Sequence, residues 1–303
     1  MKKDLVSISD LSAREITDLF DLALAVKAGN QGRGALENKT LAMIFEKPSL
    51  RTRVTFEAGM TQMGGHGIYL GPKDIQLGTR ESVPDAARNL SRWVDGIMAR
   101  TFSHQTVVEL AQYATVPVIN ALTDRAHPCQ ALAFGLTMLE HRSNLKGLRV
   151  VFVGDGNNVA HSLMRMAPKV GMDFVLACPK GYESDEQINA EARRLASEYG
   201  TTFEITHDPY RAVRRADVIY ADVWASMGQE EEQAIRAEAF RPYQINRELL
   251  EEAKKGCLVT HCLPAHRGEE ITGEVLDGPQ SIAFDEAENR LHIQKAIMLR
   301  LMG

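Results

Sequence analysis

Nine short apolar runs alternate with helical patterns along this chain, and that alternation limits the possible folds more than any other feature. The runs fall at 41–45, 67–70, 96–101, 116–120, 148–153, 173–178, 202–206, 217–223 and 257–261. Helical stretches fill most of the gaps, as parallel βαβ units require. A capping box, Ser12-Ala13-Arg14-Glu15, opens the first amphipathic helix, which carries Ile16, Leu19, Phe20, Leu22 and Leu24. A polar segment from Glu140 to Gly147 reads as a change of domain and leaves four or five strands in each half. A length of 303 residues suits two domains. The expected fold is α/β, with two doubly wound parallel-sheet domains facing a central cleft. The expected domains are 1–140 and 141–285, with a C-terminal helix over 286–303 packing back on the first.

Composition removes several functional classes. A formal net charge of −5 argues against a nucleic-acid partner, so basic clusters are local and read as sites. No apolar run approaches membrane-spanning length, and Met1-Lys2-Lys3-Asp4 lacks the apolar stretch of a secretion signal. Cys129, Cys178, Cys257 and Cys262 show neither CxxC pairing nor the His spacing of a zinc site. They read as reduced thiols of a cytoplasmic protein.

Ligands of open α/β sheets bind beyond the carboxyl ends of the strands. Following each run to its end gives Ser49–Arg53, Arg100, His127, Asn157–Asn158, Asp222 and Cys262. Six ends that all carry chemistry-bearing side chains point to one shared cleft. Ser49-Leu50-Arg51-Thr52-Arg53 places a Ser cap, a second hydroxyl and two guanidinium groups at a helix start, a natural oxyanion site; a basic surface turn is the plainer alternative. Arg100 can clamp a phosphate or carbonyl oxygen, or simply pair with a surface acid. His127 precedes Pro128 at a helix start, where the dipole favours neutral imidazole and a donated N–H, or only a cap. Gly154-Asp155-Gly156-Asn157-Asn158 resembles a dinucleotide turn but has Val159 where the third Gly belongs, which weakens a dehydrogenase reading. Its Asn158 can bind a carboxylate. Asp222 at a strand end can hold a cationic amine, or form an Asx turn. Cys262 ends the last strand, where an inert buried thiol is the ordinary expectation.

Taken together, Ser49-Leu50-Arg51-Thr52-Arg53, His127-Pro128-Cys129-Gln130, Asp222…Ser226-Met227-Gly228 and His261-Cys262-Leu263-Pro264 resemble the aspartate/ornithine carbamoyltransferase family, in family order over nearly the whole chain. The last two motifs look like those of its ornithine-specific members. The resemblance implies a cytoplasmic enzyme of arginine metabolism, a homotrimer or multiple of trimers, using carbamoyl phosphate and L-ornithine and no metal or redox cofactor. By resemblance, Ser49, the Leu50 backbone, Arg51 and Thr52 hold the phosphate. Arg100, His127 and Gln130 hold the carbamoyl group, Arg290 completes that pocket, and Gln76 serves a neighbouring subunit. Leu122, Asn158, Asp222, Ser226 and Met227 bind ornithine, while Cys262 and Leu263 lie where its side-chain amine meets the carbonyl carbon. Arg100, His127, Asp222 and Cys262 are the implied catalytic groups. One position departs from the family pattern, since Leu50 replaces the first Thr of Ser-Thr-Arg-Thr-Arg. Ser-Leu-Arg-Thr also occurs in relatives that carbamoylate N-acylated ornithines, whereas Ser226-Met227-Gly228 favours free ornithine.

Overall fold

The computed structural model describes residues 3–225 and 230–303. The chain divides into two compact units, Met1–Leu136 with Glu288–Gly303, and Thr137–Ala287. In the first, β1 (Thr40–Phe45), β2 (His66–Leu70), β3 (Gly96–Arg100) and β4 (Val118–Leu122) form a parallel sheet in the order β2-β1-β3-β4. In the second, β5 (Arg149–Val153), β6 (Asp173–Ala177), β7 (Phe203–Thr206), β8 (Val218–Ala221) and β9 (Leu258–His261) form a parallel sheet in the order β7-β6-β5-β8-β9.

Central strands of such sheets are buried on both faces, so they read as continuous apolar runs instead of alternating ones. Ala42, Ile44, Ile97 and Ala99 accordingly join Leu90, Val107 and Leu110 in the first core. Val151, Val153, Val175, Ile219 and Val259 join Trp224, Phe240 and Leu249 in the second. The edge at β4 is covered by the N-terminal segment, where Leu5 N–H donates to Val118 O at 2.9 Å and Leu5 O accepts from Asn120 N–H at 2.8 Å.

Strand order fixes where a ligand belongs. In the first sheet the chain leaves β1 for β2 on one side and returns to β3 on the other, so the topological switch point lies between β1 and β3. In the second it lies between β5 and β8. Phe45 registers with Arg100, and Val153 with Ala221. The turns that follow these four strands therefore emerge in adjacent pairs, and a switch-point crevice opens between the members of each pair.

Several boundaries differ from the sequence reading. The fourth strand begins at Val118 because Pro117 has no N–H for the ladder, and it runs on to Leu122 through a bulge, with Ala99 opposite Asn120 but Arg100 opposite Leu122. The terminal helix is Ala283–Met302, starting ahead of the expected Glu286. The two compact units meet inside the helix Pro128–Arg142, a few residues ahead of the polar segment. Leu132, Phe134, Leu136 and Met138 are all buried along that helix, so the polar stretch ends a packed element. No described helix is long and apolar enough to cross a membrane.

Candidate active site

The candidate oxyanion site of the first unit is built on the helix Leu50–Gln62. Ser49 is its N-cap, and the Ser49 hydroxyl accepts from Thr52 N–H at 3.2 Å. Thr52, Phe56 and Met60 share the buried face. Leu50 is 74% exposed and Val54, one turn on, 51% exposed, so both lie away from that buried face. Arg290 reaches this helix start from the terminal helix. It is fully buried, donating from Nη1 to Gln130 Oε1 at 2.5 Å and from Nη2 to Thr52 Oγ1 at 3.1 Å. With its amide turned to satisfy both of its polar ends, Gln294, one turn further, accepts from Arg290 at 3.2 Å and donates to Thr55.

Arg100 ends β3 at the bulge, which re-aims the strand end beside the turn after β1. Glu46 ties the two strand ends together, donating its N–H to Arg100 O at 2.9 Å and accepting from Phe102 N–H at 2.7 Å. His127 is 5% exposed, immediately before the helix Pro128–Arg142. Burial holds its imidazole pKa well below the usual range, and the charges of Arg290, Arg100 and Arg51 lower it further. Three guanidinium groups thus act on one neutral imidazole, which can offer a single N–H donor. Such convergence favours an oxyanion with a polarisable carbonyl.

Two further residues of the sequence reading lie on this unit. Gln76 is exposed at the left-handed cap (φ 44°) of the short helix Pro72–Ile75. Leu122 is half-buried at the end of β4, and its carbonyl accepts from Thr101 N–H at 3.0 Å.

In the second unit Asp222 is the junction, buried just beyond β8. Its Oδ2 accepts from Asn157 Nδ2 at 2.7 Å, and its Oδ1 from Val223 N–H and Cys262 Sγ, both at 2.8 Å. Asn157 also caps the helix Asn158–Lys169, accepting from Val159 and Ala160 N–H groups, so half-buried Asn158 sits at the helix start. The glycine turn ahead of it serves packing, because a Cβ on Gly156 would lie 2.3 Å from Ser184 N. Leu263 adopts φ 56° and donates its N–H to His261 Nδ1 at 2.8 Å. That nitrogen is therefore an acceptor, and His261 Nε2 faces Glu270 Oε1 at 3.1 Å. Burial pushes the thiols of Cys129, Cys178 and Cys257 up to about 12, which leaves them inert. Cys262 is instead half-buried and bonded to Asp222. Ser226 and Met227 lie outside the described residues.

Two supporting groups have no signal in the sequence patterns. Arg236 is 7% exposed and bonds Asp155 Oδ2 and Trp224 O at 3.1 Å and Glu232 at 2.9 Å, joining the turns after β5 and β8. Glu286 accepts from Tyr220 (2.7 Å) and Thr260 (2.5 Å), which binds the first turn of the terminal helix to β8 and β9. A cavity of about 530 Å³ lined by Leu250, Lys254, Gly256 and Gln280 lies at the amino end of β9, the wrong end of a parallel sheet for substrate.

The fold is that of a two-domain, doubly wound α/β protein with a cationic cluster at one switch point and a carboxylate–thiol cluster at the other. Residues 3–140 match the carbamoyl-P binding domain, and residues 146–301 the Asp/Orn binding domain, of the aspartate/ornithine carbamoyltransferases. The chain belongs to the aspartate/ornithine carbamoyltransferase family. It is 53% identical over 305 residues to the anabolic ornithine carbamoyltransferase of Pyrococcus furiosus, covering 99% of this chain and 96% of that protein. It is 54% identical to the ornithine carbamoyltransferase of Carboxydothermus hydrogenoformans, with 99% and 98% covered. The solved ornithine carbamoyltransferase from Pyrococcus furiosus superposes with a TM-score of 0.95 at 53% identity, covering 99% of this chain and 97% of that one. An acetylornithine transcarbamylase complexed with acetylcitrulline superposes at 0.89 with 33% identity over 98% of each chain.

Proposed function

We propose that this protein transfers the carbamoyl group of carbamoyl phosphate to the δ-amine of L-ornithine, giving L-citrulline and phosphate in arginine biosynthesis. The observation that carries this reading is the neutral His127 among Arg51, Arg100 and Arg290 beside a Ser-capped helix start. Ser49, Arg51, Thr52 and the Leu50 N–H hold the phosphate. Arg100, His127 and Gln130 hold the carbamoyl oxygen and nitrogen, and Arg290 orders Gln130 and Thr52. Leu122, Asn158, Asp222, Ser226 and Met227 receive ornithine, with Cys262 and Leu263 next to its reacting amine. The enzyme works in the cytoplasm as a homotrimer or a multiple of trimers, in which Gln76 serves a neighbouring subunit; the exposure of Gln76 supports that role.

The amine lone pair attacks the carbonyl carbon, and negative charge develops on the oxygen. Arg100, His127 and Thr52 stabilise that charge, each such donor contributing on the order of 3 kcal/mol, about a hundredfold in rate. The carbon–oxygen bond to phosphate then breaks, and the amine proton passes to the Asp222–Cys262 pair or to the departing phosphate. The 53% identity to ornithine enzymes against 33% to the acetylornithine enzyme favours free ornithine. The Leu50 side chain points to solvent, in keeping with a contact made through its backbone.

Assaying carbamoyl phosphate with ornithine, N-acetylornithine, putrescine and aspartate tests the assignment. Ornithine should exceed every other acceptor in kcat/KM by about a hundredfold or more. A faster reaction with another acceptor overturns the ornithine assignment, and no carbamoylated product from any acceptor overturns the enzymatic reading.

A further inference from the structure

The turn beyond the Cys262 segment carries a second cluster. Donor atoms of His266, Glu269 and Glu270 all lie within 4.8 Å of one another. His266 Nδ1 is 3.7 Å from Glu270 Oε2 and 3.8 Å from Glu269 Oε2. Glu270 is 1% exposed, and its two oxygens are treated differently. Oε1 is engaged by His261 Nε2 at 3.1 Å and by the His266 N–H at 2.5 Å. Oε2 is buried, accepts no hydrogen bond from the described residues, and faces His266.

A buried carboxylate oxygen without a donor is costly, and a bound cation is one way to satisfy it. A tetrahedral metal about 2.1 Å from each ligand holds its ligand atoms about 3.4 Å apart. The two spacings from His266 need only a few tenths of an ångström of contraction, and His266 and Glu269 are both exposed enough to adjust. Their distances are too long for a charge-assisted hydrogen bond, which closes to about 2.8 Å. One imidazole and two carboxylates suit a borderline divalent ion, and the bonds to Glu270 Oε1 supply the outer-shell support that orients a ligating carboxylate.

We propose that His266, Glu269 and Glu270 form a binding site for a divalent transition metal of the zinc type, completed by water. The same Glu270 holds His261, and His261 holds the Leu263 N–H, so an ion here braces the turn that carries Cys262.

Isothermal titration of Zn²⁺ into the chelator-treated full chain tests the site. One equivalent should bind to the unmodified protein and to Cys262→Ser, with affinity at least about tenfold weaker in His266→Ala and Glu269→Gln. Both of these side chains reach solvent, and circular dichroism checks that each variant is folded. Absence of saturable binding to the unmodified protein overturns the proposal. So does unchanged affinity in His266→Ala and Glu269→Gln, as does binding that is lost in Cys262→Ser while His266→Ala retains it.

Discussion

At the switch point of the first unit, burial and the charges of Arg290, Arg100 and Arg51 keep an imidazole neutral. At that of the second, a buried carboxylate gathers an amide, a backbone N–H and a thiol. The topology of the two regions is alike, and their chemistry is opposite in sign. A parallel sheet supplies only a place, the crevice where strand order reverses. The residues just past the strand ends decide whether that place takes an anion or a cation. Cationic groups on one unit match a phosphorylated donor, and an acidic junction on the other matches an amino-acid acceptor.

Removing a charge from the cationic side should have the largest effect. Arg51→Ala is expected to lower kcat/KM by about a hundredfold or more by steady-state citrulline assay; near-normal turnover would remove it from the phosphate site. On the acidic side, Asp222→Asn keeps the shape and loses the charge. It should raise KM for ornithine by about tenfold to thirtyfold while KM for carbamoyl phosphate moves less than about twofold. Equal effects on both substrates would erase the division between the units.

The third expectation concerns protonation. Burial and three arginines depress the His127 pKa, so the folded state binds its proton less readily than the unfolded chain does. The group costs stability as pH falls below the ordinary value of 6.5. Its imidazole resonances should stay at the neutral position as pH falls through the ordinary histidine value of 6.5; titration near 6.5 would mean that burial and the guanidinium cluster do not act on it. The smallest effect lies at the supports. Burial pushes Asp155 up to about 6 despite Arg236. A raised folded pKa adds stability at low pH that is lost as pH rises through about 6. Relative to Asp155→Asn, the unmodified protein should therefore lose on the order of 2 kcal/mol between pH 4 and 7 in urea titrations. Parallel curves for the two proteins would contradict that shift.

How much of this was legible follows from how local each feature is. Ser49, Arg100, Asp222 and Cys262 stand next to apolar runs, so their place at strand ends follows from the runs themselves. Arg290 does not, because on its own it reads as a surface charge. Only the family resemblance assigned it to the pocket, since its partners Gln130 and Thr52 lie 160 and 238 residues away. Arg236 and Glu270 left no trace, because a buried charge in a turn or short helix becomes visible only with its partners. The fourth strand shifted for a local reason, Pro117, which the residues themselves contained.

The division of labour is tested most directly by the equilibrium affinity of carbamoyl phosphate, measured calorimetrically without any acceptor, for the unmodified protein, Arg51→Ala and Asp222→Asn. Asp222→Asn should bind within about twofold of the unmodified protein and Arg51→Ala about thirtyfold or more weakly. Comparable weakening in both variants would contradict the account in which Arg51, and not Asp222, holds the anionic donor.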